Sequence, residues 1–253
     1  MFSLHGKTAL ISGASRGIGL AIARKYAQAG ARIIGLYQHN HEAAQQAQDS
    51  LNGSDHEFHA IDLSQTSELS DALSQSGILE SPIDILVNNA GIFREHAIDS
   101  VSLNDWLDEW QQTLAINLMA PAMLSYLIAK GMIQRGQGRI VNISSRGAFR
   151  GEPECPAYGA SKAGLNALTQ SLAQKLAPYG ISVAAIAPGF VETDMVTDLL
   201  ASEAGDAIKA QSPFNRVAKP DDVAAAALFL ASDEAEFSSG TIIDVNGASY
   251  LRS

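Results

Sequence analysis

The chain has 253 residues, of which 46% are hydrophobic and 17% charged, a balance typical of a folded protein with a sizeable core. Its formal charge of −10 argues against nucleic acid and anionic membranes as partners, because both attract basic surfaces. A single cysteine, Cys155, excludes an internal disulfide and suits a reducing compartment. No run approaches the ~20 apolar residues of a membrane span, and the first residues lack an export signal. We therefore expect a cytoplasmic protein.

The predicted elements alternate along the chain. Seven β-rich runs appear in the order KTALIS, ARIIGLY, EFHAI, IDILVN, RIVNIS, ISVAAIA and TIIDV. Several are apolar almost throughout, as strands buried on both faces should be. Segments with helical spacing lie between them, at 18–29, 42–51, 66–76, 104–131, 159–177 and 221–231. This alternation predicts an α/β fold, a doubly wound (Rossmann) parallel sheet of about seven strands with helices on both faces.

Nothing in the sequence divides the chain, since we find no internal repeat, low-complexity segment or linker. We therefore predict a single domain over 1–253. The longest irregular stretch follows the sixth strand and predicts a substrate lid at about 190–215.

Four unusual motifs follow predicted strands. SGASRGIG (12–19) follows the first strand, NNAG (88–91) the fourth, SSRG (144–147) the fifth and PGFVET (188–193) the sixth. Ligands of open α/β sheets bind outside the carboxyl ends of the strands. The four motifs are therefore expected to meet at one edge of the sheet and form one site.

The first motif has the composition of a loop that holds a dinucleotide. Gly13, Gly17 and Gly19 bracket a strand-to-helix turn, where glycine lets the backbone approach a pyrophosphate at the positive end of a helix beginning near Ile18. The spacing is G-x-x-x-G-x-G rather than the general G-x-G-x-x-G, so by itself the motif fits a tight turn equally well. Its place after the first strand favours cofactor binding.

The second strand bears on the choice between NADP and NAD. An acidic residue near its end commonly holds a ribose 2′-hydroxyl, but Tyr37 stands there and no carboxylate precedes Glu42. Arg16, inside the glycine turn, could pair with a 2′-phosphate, because the guanidinium group suits phosphate geometry. We therefore predict NADP over NAD, the alternative being a solvated Arg16 and a pocket that accepts either.

Tyr158 and Lys162 are four residues apart in CPAYGASKAG, so a helix would place them one turn apart on one face. A nearby ammonium favours phenolate and is expected to lower the tyrosine pKa, making Tyr158 an acid or base for carbonyl–alcohol interconversion. The spacing alone is common and also fits an incidental helix face. Ser145, ending a strand at the same edge, could hold the substrate oxygen against Tyr158.

Together these motifs resemble those of the short-chain dehydrogenase/reductase family, from KTALISGASRGIG to GTIIDVNG. The resemblance implies a catalytic tetrad of Asn117, Ser145, Tyr158 and Lys162. In the family, the tyrosine gives its proton to a carbonyl oxygen while a nicotinamide delivers hydride, or the reverse. The lysine also binds the nicotinamide ribose, and the asparagine holds a water that relays protons. Such proteins are usually homotetramers built through the long helices, here near 104–131 and 159–177.

The glycine turn and the resemblance together predict a set of cofactor contacts. Asp62 would contact the adenine, and the loop after the sixth strand would hold the carboxamide. The full set is Gly13, Ser15, Arg16, Gly17, Ile18, Gly19, Tyr37, Asp62, Leu63, Asn89, Ala90, Gly91, Tyr158, Lys162, Pro188, Gly189, Val191 and Thr193. The chain departs from the family pattern at Ser12, usually threonine, at Ala184, often asparagine, and in lacking a double glycine near its end.

The resemblance implies an NADP-dependent oxidoreductase that acts on a small-molecule ketone or secondary alcohol. The alternatives are a 3-oxoacyl-(acyl carrier protein) reductase, an NAD-dependent sugar or polyol dehydrogenase and, more remotely, a non-enzymatic protein that senses NADP. The negative charge disfavours an acidic carrier protein. So does Tyr179, which stands where carrier-binding relatives would have a basic residue beside the entrance.

Three arginines, Arg94, Arg146 and Arg150, lie in loops expected to edge the pocket. One of them could clamp a substrate carboxylate or phosphate, but ion pairs at the surface or at a subunit interface are the favoured interpretation. The six histidines show no metal-binding spacing, so no metal is predicted. Four further residues either shape the pocket or simply pack near the lid: Phe93, Glu152, Phe190 and Met195.

Overall fold

The computed structural model describes residues 2–193, 200 and 202–252. Seven parallel strands form one sheet in the order β3-β2-β1-β4-β5-β6-β7. The strands are β1 Thr8–Ser12, β2 Arg32–Tyr37, β3 Glu57–Ala60, β4 Ile85–Asn88, β5 Gly138–Ile143, β6 Ile181–Pro188 and β7 Ile242–Val245. The strand order reverses between β1 and β4, which opens a crevice at the carboxyl edge there.

Helices cover both faces of the sheet, and the predicted fold class is confirmed. A π-helical turn, Ala115–Met119, joins two helices into one continuous segment. Within the described part of the chain the helices are α1 Gly17–Gln28, α2 His41–Asp49, α3 Leu69–Gln75, α4 Leu103–Leu114, α5 Ala120–Arg135, α6 Gly147–Arg150, α7 Pro156–Leu176, α8 Glu203–Ala210 and α9 Pro220–Ala231.

The central strands read as unbroken apolar runs because the sheet has a hydrophobic core on each side. In β1, Ala9 and Ile11 point into the core beneath α1 and α9, whereas Leu10 points into the opposite core beneath α5. Successive strand residues face opposite ways, so both sets are buried. All five residues of β1 are buried.

The segment Leu103–Arg135 is, among the described residues, the one helical stretch long and apolar enough to cross a membrane by length and composition. In this fold it packs against α7 and against the sheet at β4 and β5. Leu124, Ile128 and Met132 are buried in the core on that side. A core helix of an α/β domain passes the same test.

The predicted lid at 190–215 falls partly on residues 194–199 and 201, Met195 among them, which lie outside the described residues. Its two ends are joined: Glu192 N–H donates to Ala218 O at 2.8 Å and Ala218 N–H donates to Phe190 O at 2.9 Å. Between them the described part includes α8. The lid itself stays a prediction.

Candidate active site

The glycine turn between β1 and α1 has a backbone conformation that requires glycine. Gly13 and Gly17 adopt φ values of +66° and +54°, which residues other than glycine rarely adopt. A Cβ at Gly19 would lie 2.0 Å from Gly13 O, so only glycine fits. The first turn of α1 contains no acidic side chain. A backbone cradle at a helix N-terminus without a carboxylate fits a pyrophosphate.

Ser12 and Asn89 join the glycine turn to the NNAG loop. The Ser12 hydroxyl accepts hydrogen bonds from the N–H groups of Asn89 and Ala90, both at 3.0 Å. The Asn89 amide donates to Ser12 O at 2.9 Å and Gly13 O at 3.1 Å. Serine in place of the family's threonine therefore keeps the hydroxyl that accepts these two N–H groups. The sequence showed this hydroxyl but not its partners.

Beyond the ends of β2 and β3, the carboxylate of Asp62 already accepts hydrogen bonds from neighbouring residues. Asp62 Oδ1 accepts from Ser64 N–H at 2.9 Å and from Gln38 at 2.9 Å. Burial acts to raise the pKa of Asp62, but hydrogen bonds from Ser64 and Gln38 lower it overall. Tyr37 Oη lies 2.7 Å from His41 Nδ1. Arg16 is exposed and forms no ion pair with a described residue, so its guanidinium is available to an anion.

The four residues of the predicted tetrad meet at the carboxyl edge of β4 and β5. Helix α7 places Tyr158 and Lys162 one turn apart, as predicted. Ser145, just beyond β5, lies close enough to Tyr158 to act on the pKa of its hydroxyl, and Ser145 Oγ accepts from Gly147 N–H at 3.0 Å. Lys162 Nζ donates to Ile143 O at 2.8 Å. The serine, tyrosine and lysine therefore face one small volume.

Asn117 lies in the π-helical turn, a rare geometry that often marks functional positions. Its Oδ1 accepts from Ile92 N–H at 2.8 Å, and its Nδ2 donates to Ser161 Oγ at 3.2 Å. Ser161 Oγ in turn donates to Tyr158 O at 2.7 Å. The asparagine side chain thus connects the NNAG loop to α7, the catalytic helix that carries Tyr158 and Lys162. A Cβ at Gly91 would lie 3.2 Å from Asn117 Oδ1 and 3.4 Å from Lys162 Nζ.

The predicted effect of the lysine on the tyrosine is wrong for the chain without cofactor. Burial raises the pKa of Tyr158 to about 12; the carboxylate of Glu152 adds to this rise, and hydrogen bonding with Ser145 opposes it. Lys162 Nζ is 5.7 Å from the Tyr158 ring centroid and directed at Ile143 O. Burial lowers the pKa of Lys162 to about 8. Tyr158 is therefore a neutral phenol near pH 7, the protonated form that a general acid needs.

Lys162→Met is expected to stabilise the cofactor-free chain by about 1–3 kcal/mol at neutral pH, because it removes a buried ammonium. Below the folded pKa of about 8 the penalty is fully present, and it disappears as the pH rises toward the ordinary value of 10.5. Chemical denaturation of both proteins at several pH values would measure this. The gap in unfolding free energy should shrink above pH 8, and a gap independent of pH would contradict the assignment.

The loop after β6 completes the crevice. Pro188 O accepts from Arg146 N–H at 2.9 Å, and Gly189 N–H donates to Val245 O at 3.1 Å. A Cβ at Gly17 would lie 3.3 Å from Thr193 Cγ2, so this loop reaches the glycine turn. Val191 is buried against the core. The loop after β6, which is predicted to hold the nicotinamide carboxamide, thus lies next to the glycine turn, which is predicted to hold the pyrophosphate.

Comparisons with known proteins agree with this geometry. A family model described as enoyl-(acyl carrier protein) reductase matches residues 13–248. The 3-oxoacyl-(acyl carrier protein) reductase of Aquifex aeolicus is 39% identical over 249 residues, covering 98% of each chain. A solved gluconate 5-dehydrogenase from Burkholderia cenocepacia, in complex with NADP and tartrate, is 33% identical, with a TM-score of 0.88 over 99% of this chain and 98% of that one.

A solved 3-oxoacyl-(acyl carrier protein) reductase from Agrobacterium tumefaciens with NADP bound is 32% identical, with a TM-score of 0.89 over 97% of this chain and 95% of that one. The chain belongs to the short-chain dehydrogenase/reductase family. It is an oxidoreductase of that family, and both predictions are confirmed.

The arginines that could edge the pocket of this short-chain dehydrogenase/reductase differ in their partners. Arg94 lies 3.6 Å from Glu109, and Arg150 lies 3.2 Å from Glu152, so both form ion pairs as favoured. Arg146 is instead 3% exposed, and its guanidinium donates to Ser249 Oγ at 2.6 Å. A second bond to Gln211 ties it to the residue after α8. Arg146 thus links the loop after β5, which carries Ser145, to the predicted lid at 190–215.

Tyr179 does not lie beside the entrance of its own chain. It lies in a 3-10 turn, Ala177–Tyr179, directly before β6. Helix α7 has by then run from the carboxyl edge of the sheet, where Tyr158 lies, to the opposite edge. The entrance lies at the carboxyl ends of the strands. The argument from Tyr179 against a carrier protein therefore fails within one subunit.

Proposed function

We propose that this chain is an NADPH-dependent ketoreductase in which Tyr158 protonates the substrate oxygen, and that it also runs the reverse oxidation of a secondary alcohol. The observation that carries the proposal is that Ser145 and the buried Lys162, whose Nζ donates to Ile143 O at 2.8 Å, lie beside a neutral Tyr158. These groups stand next to a backbone cradle shaped for a dinucleotide. NADPH, when bound, supplies the hydride.

Each residue of the site has a role that follows from its contacts. Gly147 N–H donates to Ser145 Oγ, which makes the serine hydroxyl a better donor toward the substrate oxygen. Tyr158 gives up its proton as negative charge develops on that oxygen. Lys162 is fixed by Ile143 O and keeps a positive charge near pH 7, which stabilises the phenolate that Tyr158 becomes. Asn117 holds the loop and helix that carry them.

The glycine cradle would hold the pyrophosphate, with Ser15 and Arg16 in the turn and Asn89, Ala90 and Gly91 along the crevice. Arg16 is exposed with no ion-pair partner among described residues, and Tyr37 ends β2 where an acidic residue would repel a 2′-phosphate. Four solved relatives are described with NADP bound. The predicted NADP dependence agrees with these relatives.

Arg16→Ala is expected to weaken NADPH binding by about 10- to 100-fold and NADH binding by much less, because it removes a charge-assisted contact to the 2′-phosphate. Fluorescence titration with both nucleotides would measure the two Kd values. Arg24→Ala is the matched control, since Arg24 is exposed on α1, the helix that follows Arg16, and bonds to Ser50. Equal losses for NADPH and NADH would contradict a phosphate contact.

A second candidate within this reaction class is a 3-oxoacyl thioester as substrate. The relative from Aquifex aeolicus is a 3-oxoacyl-(acyl carrier protein) reductase, and the relative from Burkholderia cenocepacia acts on gluconate. The net charge of −10 disfavours an acidic carrier protein, so we favour a small free ketone or alcohol. The family model's description names reduction of a carbon–carbon double bond instead.

The deciding experiment follows NADPH oxidation by the purified protein with four substrate types: small ketones, oxidised sugar acids, a 3-oxoacyl thioester and an enoyl thioester. Turnover of ketones or oxidised sugar acids with little turnover of the thioesters is expected. Turnover of the 3-oxoacyl thioester would favour the second candidate. Turnover of the enoyl thioester alone, or of none, would overturn the proposal.

We further infer a homotetramer in the cytoplasm, built through the segment 103–135 and α7. Large apolar side chains are exposed along that segment: Leu103 is 72%, Leu107 55% and Tyr126 63% exposed. Such residues suit a subunit contact. Light scattering coupled to size exclusion would measure the mass, and a monomer would contradict the inference.

A further inference from the structure

The first turn of the catalytic helix needs a hydrogen-bond acceptor from outside the helix. Pro156, the first residue of α7, has no N–H group, and Cys155 before it provides no side-chain cap. Tyr158 and Gly159 donate to Cys155 O at 3.0 and 3.3 Å. The N–H of Ala157, directly before Tyr158, is left without a partner in its own helix.

A distant imidazole supplies that acceptor. His96 Nε2 lies 3.2 Å from Ala157 N, and His96 Nδ1 lies 2.8 Å from Arg94 O. A carbonyl only accepts, so Nδ1 must carry the proton, and a backbone N–H only donates, so Nε2 must be bare. Both partners are backbone groups, which leaves one possible tautomer. The ring, 1% exposed, is therefore neutral.

His96 also holds the chain that leads into α7. Its backbone N–H donates to Glu154 O at 2.8 Å, and its ring packs edge-on against Trp106 of α4 with centroids 5.5 Å apart. Phe93, earlier in the same loop, packs edge-on against Tyr158 at 4.9 Å. The loop after β4 thus contacts the tyrosine ring directly and fixes the start of its helix through His96.

We propose that His96 is a positioning residue that caps α7 and thereby holds Tyr158 in place. The cap depends on an Nε2 that carries no hydrogen, because only a bare ring nitrogen can accept from the N–H group of Ala157. This inference rests on the proposed function, because it assigns Tyr158 the role of acid.

Several charged groups surround this end of α7. The carboxylates of Glu95, Glu152 and Glu154 act on the neighbouring Cys155. The Arg94 guanidinium points elsewhere, to Gln112 Oε1 at 2.6 Å.

Two substitutions of similar polarity test the hydrogen bonds of the two ring nitrogens separately. In H96Q the side-chain oxygen can reach the position of Nε2 and accept from Ala157, so the cap is kept. In H96N the shorter amide can still donate to Arg94 O, as Nδ1 does, but the cap is lost. Comparing kcat and Kd for NADPH in the wild type and both variants tests the proposal.

H96N is expected to lower kcat by about 10- to 100-fold with little change in Kd for NADPH, since Lys162 lies a turn deeper in the helix. H96Q should restore most of kcat. Equal kcat in the wild type and H96N, or a kcat in H96Q no higher than in H96N, would overturn the proposal.

One readout does not depend on turnover. Amide hydrogen exchange at Ala157 and Tyr158 should accelerate in H96N and stay near the wild-type rate in H96Q, because only the asparagine exposes the first turn. Unchanged exchange in H96N would overturn the cap directly. A wild type that reduces no ketone would instead contradict the proposed function, while the exchange result would still decide whether His96 caps the helix.

Discussion

Tyr158→Phe is expected to lower kcat by about 1,000-fold or more, because it removes the proton that the substrate oxygen must receive. The phenyl ring keeps the edge-on contact with Phe93 at 4.9 Å, so the packing of the site should survive. Kd for NADPH should stay within about twofold of the wild-type value, since the tyrosine hydroxyl adds little to a dinucleotide's binding energy. Steady-state kinetics and fluorescence titration would measure the two effects separately.

Tyr126→Phe is the matched control for this substitution. Tyr126 is 63% exposed and packs against Lys130, with Nζ 4.4 Å from its ring centroid, so loss of its hydroxyl should leave kcat unchanged. A Tyr158→Phe variant that keeps kcat within tenfold would remove Tyr158 as the acid. A wild-type protein that binds NADPH but turns over no carbonyl or alcohol would instead favour a cofactor-sensing protein.

Gly19→Ala is expected to abolish measurable NADPH binding and to destabilise the fold by about 2–4 kcal/mol. The added Cβ would lie 2.0 Å from Gly13 O and 2.6 Å from Asn89 Nδ2. Neither group can retreat easily, because one is backbone and the other already donates to Ser12 O and Gly13 O. Relief of the clash therefore displaces the turn or the NNAG loop, and both line the predicted cofactor crevice.

Gly131→Ala provides the control for Gly19→Ala. Gly131 lies inside α5, and the nearest atom to its added Cβ is Arg135 Nη1 at 3.1 Å, the end of a flexible side chain. Replacing this helical glycine should leave NADPH binding unchanged and stabilise the helix by up to about 1 kcal/mol. Thermal unfolding and fluorescence titration compare the two variants. Wild-type affinity in Gly19→Ala would show that the cradle is not the cofactor site.

Much of the fold followed from local sequence patterns. All seven predicted runs form strands, because each is short, rich in β-forming residues and bounded by turn residues, and these properties are local. The predicted helix at 159–177 corresponds to α7, Pro156–Leu176, so the one-turn separation of Tyr158 and Lys162 was foreseeable. The meeting of four motifs at one edge followed from parallel topology alone.

Other properties depend on contacts between residues far apart in the chain. Sequence spacing predicted a lowered pKa for Tyr158, but burial raises it to about 12, and the lysine is held by Ile143 O instead. Tyr179 was expected at the entrance, yet the path of α7 carries it to the opposite edge. Nothing in the sequence around His96 indicates that its ring meets Ala157 N–H, 61 positions away.

The amino-acid sequence by itself determined the order of strands and helices, the glycines of the cradle and the identity of the tyrosine, serine and lysine. These depend on side-chain size, polarity and spacing, which act over a few residues. Only the tertiary structure decided the protonation state of Tyr158, the tautomer of His96 and the partners of Arg146. Those depend on how far each group is removed from water and on which distant backbone atoms it meets, and packing alone sets both.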